Sequence, residues 1–184
     1  MVSDVETCKT KLSKSLERLF LETDTILKTE SGLDISLSGC VCTMVLIILD
    51  RIYCANIGTC NSFYVFENSS KLDSKKLMKT SLLNVNPGLA NSQTHYAHDD
   101  GSKNGLTIQP LITEHLPSDQ EERTRIIKFG GEIRTIQSRI TQNKKMNIGP
   151  LRVWKKNTNS PGLHITRSFG DLFAKEIGVV CTPS

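Results

Sequence analysis

Four side chains near the middle of the chain have the chemistry of metal ligands. His95, His98, Asp99 and Asp100 form an H-x-x-H-D-D cluster. Imidazole and carboxylate together suit a divalent transition metal. The surrounding sequence is loop-like and contains Gly, Asn and Ser. A loop of that kind preorganises ligands poorly, so the cluster reads as polar surface. Two basic stretches, Lys71 to Lys79 and Lys144 to Lys156, could meet phosphate groups. Trp154 is the only aromatic in them suited to stack on a base, so both read as solvated faces and no nucleic-acid partner is expected. Ser168 precedes Phe169-Gly170-Asp171, but no G-x-S-x-G elbow surrounds it. No G-x-G-x-x-G and no P-loop occurs. Serine-hydrolase and nucleotide-dependent chemistry therefore lack their sequence support.

Six cysteines, at 8, 40, 42, 54, 60 and 181, make no C-x-x-C pair and no finger-like spacing with histidine. Several lie in or beside apolar segments, which predicts buried free thiols and a cytoplasmic or nuclear setting. The longest apolar run, Val41 to Leu49, is far short of the roughly 20 residues a membrane helix needs. It reads as a buried strand. Met1 to Lys11 is polar and carries no signal-like core. No membrane partner is expected.

These residues must be positioned by a fold that 184 residues can build. That length suits one domain, and 38% hydrophobic residues can fill its core. The net charge of +4 is too small to name a partner class. Residues 5–28 carry Leu12, Leu16, Leu19, Phe20 and Leu27 at helical spacing. Residues 41–49, 52–57 and 62–66 predict three successive strands, the first two joined by a tight turn, which favours hairpins over βαβ units. Residues 67–106 are polar and read as an insertion, with a short helix near Lys75 to Leu82. Residues 118–129 predict a second helix, with Ser118 as N-cap, Glu121 completing a capping box, and Gly130-Gly131 as the stop. Glu122 and Arg125 sit three apart on it and can pair. Ile133, Ile136 and Ile140 are too sparse to type, and residues 141–150 read as a polar loop.

Several segments, taken in order, resemble the metal-dependent protein phosphatases of the protein phosphatase 2C (PPM) type. Ser38-Gly39-Cys40-Val41-Cys42 resembles the start of that family's SG strand. Asn56-Ile57-Gly58-Thr59-Cys60-Asn61 resembles its N-x-G-D-S-R turn. Leu111 to Pro117 resembles L-T-x-D-H-x-P, and Glu122 to Gly131 fits E-x-x-R-I-x-x-x-G-G. Arg152-Val153-Trp154 and Pro161 to Asp171 resemble R-V-W…P-G-L-A-M-[ST]-R-[SA]-[FL]-G-D. The resemblance implies an α+β fold, a partial α-β-β-α sandwich of two antiparallel sheets flanked by helices. It covers residues 1–184 as a partial domain, with 67–106 as a polar insertion.

The family's chemistry, as the resemblance implies, uses two Mg²⁺ or Mn²⁺ ions to aim water at phosphoserine or phosphothreonine. Its metal carboxylates come from D-G-H-G and R-x-x-M-E-D motifs upstream, a D-G motif beyond the G-V…P segment and a D-N motif near the domain's end, and none of these stands in its place in the 184 residues. Thr59 stands where the turn's aspartate is expected. A hydroxyl is a poor ligand for a hard cation. No catalytic residue, no metal site and no cofactor is therefore predicted for this chain. Ser38, Gly39, Gly58, Glu122, Arg125, Gly130, Gly131, Arg167, Gly170 and Asp171 are expected to be structural, with Arg167 and Asp171 in an internal polar network. His164, where the family has alanine, is assigned no catalytic role. The expectation is a pseudophosphatase or binding module for a protein partner, phosphoproteins included. The alternative is part of an active Mg/Mn-dependent serine/threonine phosphatase completed by further sequence.

Overall fold

The computed structural model describes residues 2–30, 32–67, 106–141 and 144–184. The cluster at His95 to Asp100, the basic stretch from Lys71 and the helix expected near Lys75 lie outside them.

Helix α1 spans Val2–Thr29. Its apolar stripe buries Leu16 and Phe20 and lays Leu12 and Leu27 against the same cluster. Leu19, expected on that stripe, faces outward. The cluster's other members are Ala55, Ile57, Phe169 and Cys181. Phe20 and Phe169 meet with ring centroids 5.3 Å apart, within the range where aromatic pairs attract.

Strand β1 (Gly39–Cys40) is followed by β2 (Cys42–Ile48) and β3 (Arg51–Ile57), which form the expected antiparallel hairpin in register from Cys42↔Ile57 to Ile48↔Arg51. The burial differs from expectation. β2 is half exposed, with Ile47 68% accessible, whereas Ile52 to Ile57 is buried throughout. The reason is placement. Along β3, β2 lies on one side, and on the other Asn56 exchanges both backbone hydrogen bonds with Ser184 (3.1 Å each). Both faces of β3 are also covered, with Ala55 and Ile57 in the α1 cluster and Ile52 and Cys54 against Leu111, and that cover matters more than local hydropathy.

Strand β4 (Phe63–Glu67) pairs with β5 (Leu106–Pro110). Helix α2 (Gln120–Lys128) starts one residue later than the capping-box reading placed it. Asp119 is the N-cap, and its carboxylate accepts the amides of Glu121 and Glu122 at 2.9 and 3.2 Å. Two satisfied donors favour aspartate over the preceding serine. Strands β6 (Gly131–Thr141) and β7 (Lys144–Lys155) then form a long hairpin, with β8 (Pro161–Leu163) on the far side of β7. The polar loop expected at 141–150 is therefore largely strand. Ile126, Val153, Ala174, Ile177 and Val179 close a second core beneath this sheet. Strand β9 (Phe169–Gly170) pairs with β1, and α3 (Leu172–Lys175) follows. Helices and antiparallel sheets together give the expected α+β class.

Candidate functional site: a buried carboxylate framework around the Gly58 turn

The α2 spacing that pairs Glu122 with Arg125 also turns Glu122 inward, leaving it 2% exposed. Both carboxylate oxygens are taken by Arg125, through Nη1 at 2.8 Å and Nη2 at 2.6 Å. Arg167, 45 residues on, adds Nη2 at 2.7 Å and Nε at 3.1 Å. The Thr166 hydroxyl donates to Oε2. Burial alone would push the Glu122 carboxyl up. The two guanidiniums and Thr166 overcome that and hold it down at about 2. Both arginines also clamp backbone: Arg125 reaches the carbonyls of Gly178 and Thr166, and Arg167 that of Thr182. The network ties α2 to the segment 166–182.

A second network reaches the turn after β3. Asn56 accepts from Thr43 Oγ1 at 2.6 Å and donates to the carbonyls of Gly58 and Thr113. Gly58 has φ +85, and any side chain there would strike Val41. Its amide donates to Nδ1 of His115 at 3.1 Å. The neutral His115 ring therefore carries its proton on Nε2, which faces Ser184 Oγ at 2.8 Å. Burial, followed by the nearby Arg167 charge, lowers the His115 pKa from 6.5 to about 4. The His115 carbonyl accepts Thr166 N–H, which joins the turn to the Glu122 network.

The third group lies where α1 crosses β9. Asp24 accepts Gly170 N–H at 2.8 Å and Lys175 Nζ at 2.9 Å. Gly39 and Gly170 face each other across β1 and β9, and a side chain on Gly39 would strike the Asp171 carboxylate. Asp171 is buried with φ 51, and its amide bonds Ser38 O at 2.8 Å. Gly130 follows α2 and Gly131 begins β6. His164 lies just past β8.

Of the predicted residues, Glu122, Arg125 and Arg167 share one ion-pair network, Ser38, Gly39, Gly170 and Asp171 meet where β1 pairs with β9, and Gly58, Gly130 and Gly131 lie at turns outside both, so Arg167 and Asp171 fall in different groups. Asp24, Asn56, His115, Thr166 and Lys175 belong with them but were not singled out in the sequence. Asp24 had a signal: it is a carboxylate on the α1 face that carries Phe20 and Leu27.

The donor set does not fit a pair of hard divalent cations. Such ions need several unshared carboxylate oxygens. Here Glu122 and Asp24 are committed to cations and amides of the chain, and Thr59 is neutral. Among the described residues, no three His, Cys, Asp or Glu side chains are arranged to hold a metal ion.

The α+β fold and the chain of motifs from Ser38 to Asp171 define a class, the metal-dependent protein phosphatases. The sequence matches the Protein phosphatase 2C family over residues 2–80 and 100–184, and the chain belongs to that family. "Probable protein phosphatase 2C 35" of Arabidopsis thaliana is 27% identical over 184 residues, which are 100% of this chain and 45% of that protein. "Probable protein phosphatase 2C 12" of Oryza sativa subsp. japonica is 37% identical over 78 residues, 42% of this chain and 18% of that protein. Among solved structures, serine-threonine phosphatase 2C from Toxoplasma gondii superposes with a TM-score of 0.63 at 14% identity, covering 100% of this chain and 48% of that one. The chain spans less than half the length of these relatives. Members of the family depend on Mg or Mn. Among the described residues, no helix is long and apolar enough to cross a membrane.

Proposed function

We propose that this chain is a partial protein phosphatase 2C domain that binds a protein partner, phosphoproteins included, without hydrolysing phosphoester by itself. One observation carries this reading. The carboxylate at the centre of the retained α2 motif serves the chain internally: Glu122 is shared between two guanidiniums and Thr166. Such a carboxylate stiffens a scaffold and has no lone pairs to spare for an Mn²⁺ ion. Thr59 at the Gly58 turn points the same way, since it offers one neutral oxygen where a charged ligand would be needed. The chain's own residues therefore position backbone. Arg125 and Arg167 fix the 166–182 segment, and His115 fixes the turn. Mn²⁺ titration by calorimetry tests this. The expected result is no saturable binding in the micromolar range. Saturable uptake of two ions would overturn it.

A second reading has its own support. The chain covers 45% of its Arabidopsis relative and 48% of the Toxoplasma structure. On that reading it is part of an active Mg/Mn-dependent serine/threonine phosphatase, and its networks hold the scaffold on which the remaining sequence builds the site. Reading frames beside the coding sequence separate the two. Open frames encoding D-G-H upstream and D-G downstream support the enzyme.

A further inference from the structure

Strand β2 is an edge. Its ladder to β3 runs from Cys42↔Ile57 to Ile48↔Arg51 without a bulge. Among the described residues no other strand pairs with it. The direction of its free groups follows from β3. Asn56 turns its N–H and C=O away from β2, to Ser184. Backbone groups alternate in direction along an antiparallel ladder. Those of Ile52, Cys54 and Asn56 therefore point away from β2, and those of their partners Thr43, Val45 and Ile47 point away from β3. These three outward N–H and C=O pairs meet no partner among the described residues.

Native edges are commonly guarded by a lysine, a proline or a bulge. From Gly39 to Leu49 there is no charged residue and no proline. Val45 is 43% exposed and Ile47 68%. Such an edge is built to accept a strand.

We propose that β2 pairs with β2 of a second copy of this chain, in an antiparallel two-fold dimer centred on Val45. In that register Val45 meets its own mate, and Thr43 meets Ile47 on either side of it. All the outward groups then exchange hydrogen bonds, about six in total. Met44 stands opposite Leu46, so the pairs facing α1 are apolar too.

Charge and closure select a second copy as the occupant. The paired stretch is neutral, and the first charges after it are Asp50 and Arg51. The two-fold sends the Asp50 residues of the two copies to opposite ends, about 34 Å apart along the strands. That is several Debye lengths, so no like charges meet. On the far side, β3 is buried from Ile52 to Ile57 and Asn56 is bonded to Ser184. The four-stranded sheet β3–β2–β2–β3 therefore ends there, and the isologous contact closes at two chains.

Sedimentation of the purified full chain over a concentration series tests this, with residue-resolved amide exchange on the same samples. The expected result is an equilibrium between one chain and two. The amides of Thr43, Val45 and Ile47 should slow as the dimer fills. Those of Met44, Leu46 and Ile48, already bonded to β3, should be protected throughout. V45P removes an outward donor and no bond to β3. V45K sets two lysines face to face across the two-fold. Each should weaken dimerisation about tenfold or more. A monomer at every concentration overturns the proposal, whether its 43, 45 and 47 amides exchange freely or are covered by another part of the chain. A dimer or larger assembly that survives both variants, or leaves those amides fast, overturns it as well. Exchange on the wild-type chain decides the matter even if a variant fails to fold.

Discussion

Replacing Glu122 with glutamine is the sharpest probe of the buried framework. Glutamine keeps the size of the side chain and one carbonyl acceptor but removes the charge. Arg125 and Arg167 would then lie 21% and 16% exposed against a neutral amide. Removing one partner from a buried ion pair costs about 3–5 kcal/mol. The pKa gives a second route to the number. The drop from 4.5 to about 2 corresponds to about 3 kcal/mol of preference for the ionised form. The two routes agree. Against a domain stability of about 5–15 kcal/mol, Glu122→Gln should remove a large share. Urea unfolding at pH 7, followed by circular dichroism, reads this directly. A cycle with Arg167→Gln should return a coupling of about 1–3 kcal/mol. The pH dependence follows the same logic. The folded pKa is depressed, so the Glu122 contribution is complete above about 4.5 and is lost as pH falls towards 2. The variant should lack that acid-side loss. A cost below about 1 kcal/mol, with an unchanged acid slope, would refute the claim that this carboxylate holds α2 to the 166–182 segment.

Three further outcomes are expected. His115 is held neutral, with its pKa lowered from 6.5 to about 4, so its contribution is complete above pH 6.5 and is lost as pH falls through 4; stability of His115→Gln, measured from pH 7 to 4, should fall less steeply than wild type. Gly58→Ala should cost about 2–4 kcal/mol in urea unfolding, since it combines a left-handed backbone with a clash on Val41; a neutral effect would mean the turn can relax. Phe20→Ala should cost about 3–5 kcal/mol by the same assay, because the ring is 1% exposed and packs on Phe169.

What was legible in the sequence were features with a local period or spacing. The apolar stripe of α1, the β2–β3 hairpin and the Glu122–Arg125 pair each lie within a few residues. The link from Glu122 to Arg167 spans 45 residues, and no spacing rule reaches that far. The β6–β7 hairpin was hidden by composition. Lys144, Lys145, Asn147 and Gly149 look like a loop, yet that stretch ladders against β6 from Arg139 to Ile136. Polar residues suit a strand whose faces are largely solvated, as Met146 and Ile148 show at 49% and 43% exposure. The order of burial in β2 and β3 was misread for a related reason. Hydropathy ranks Val41 to Leu49 above Arg51 to Ile57, but cover on both faces decides burial. His115 was visible only as part of a motif, and its role depends on meeting Gly58 from 57 residues away.

The central claim is that this chain carries the protein phosphatase 2C scaffold without completing its chemistry. The most direct test is release of phosphate from a phosphothreonine peptide by the purified chain with excess Mn²⁺, beside a mock preparation. The account predicts release indistinguishable from the mock. Turnover above the mock that is abolished by a chelator would contradict it.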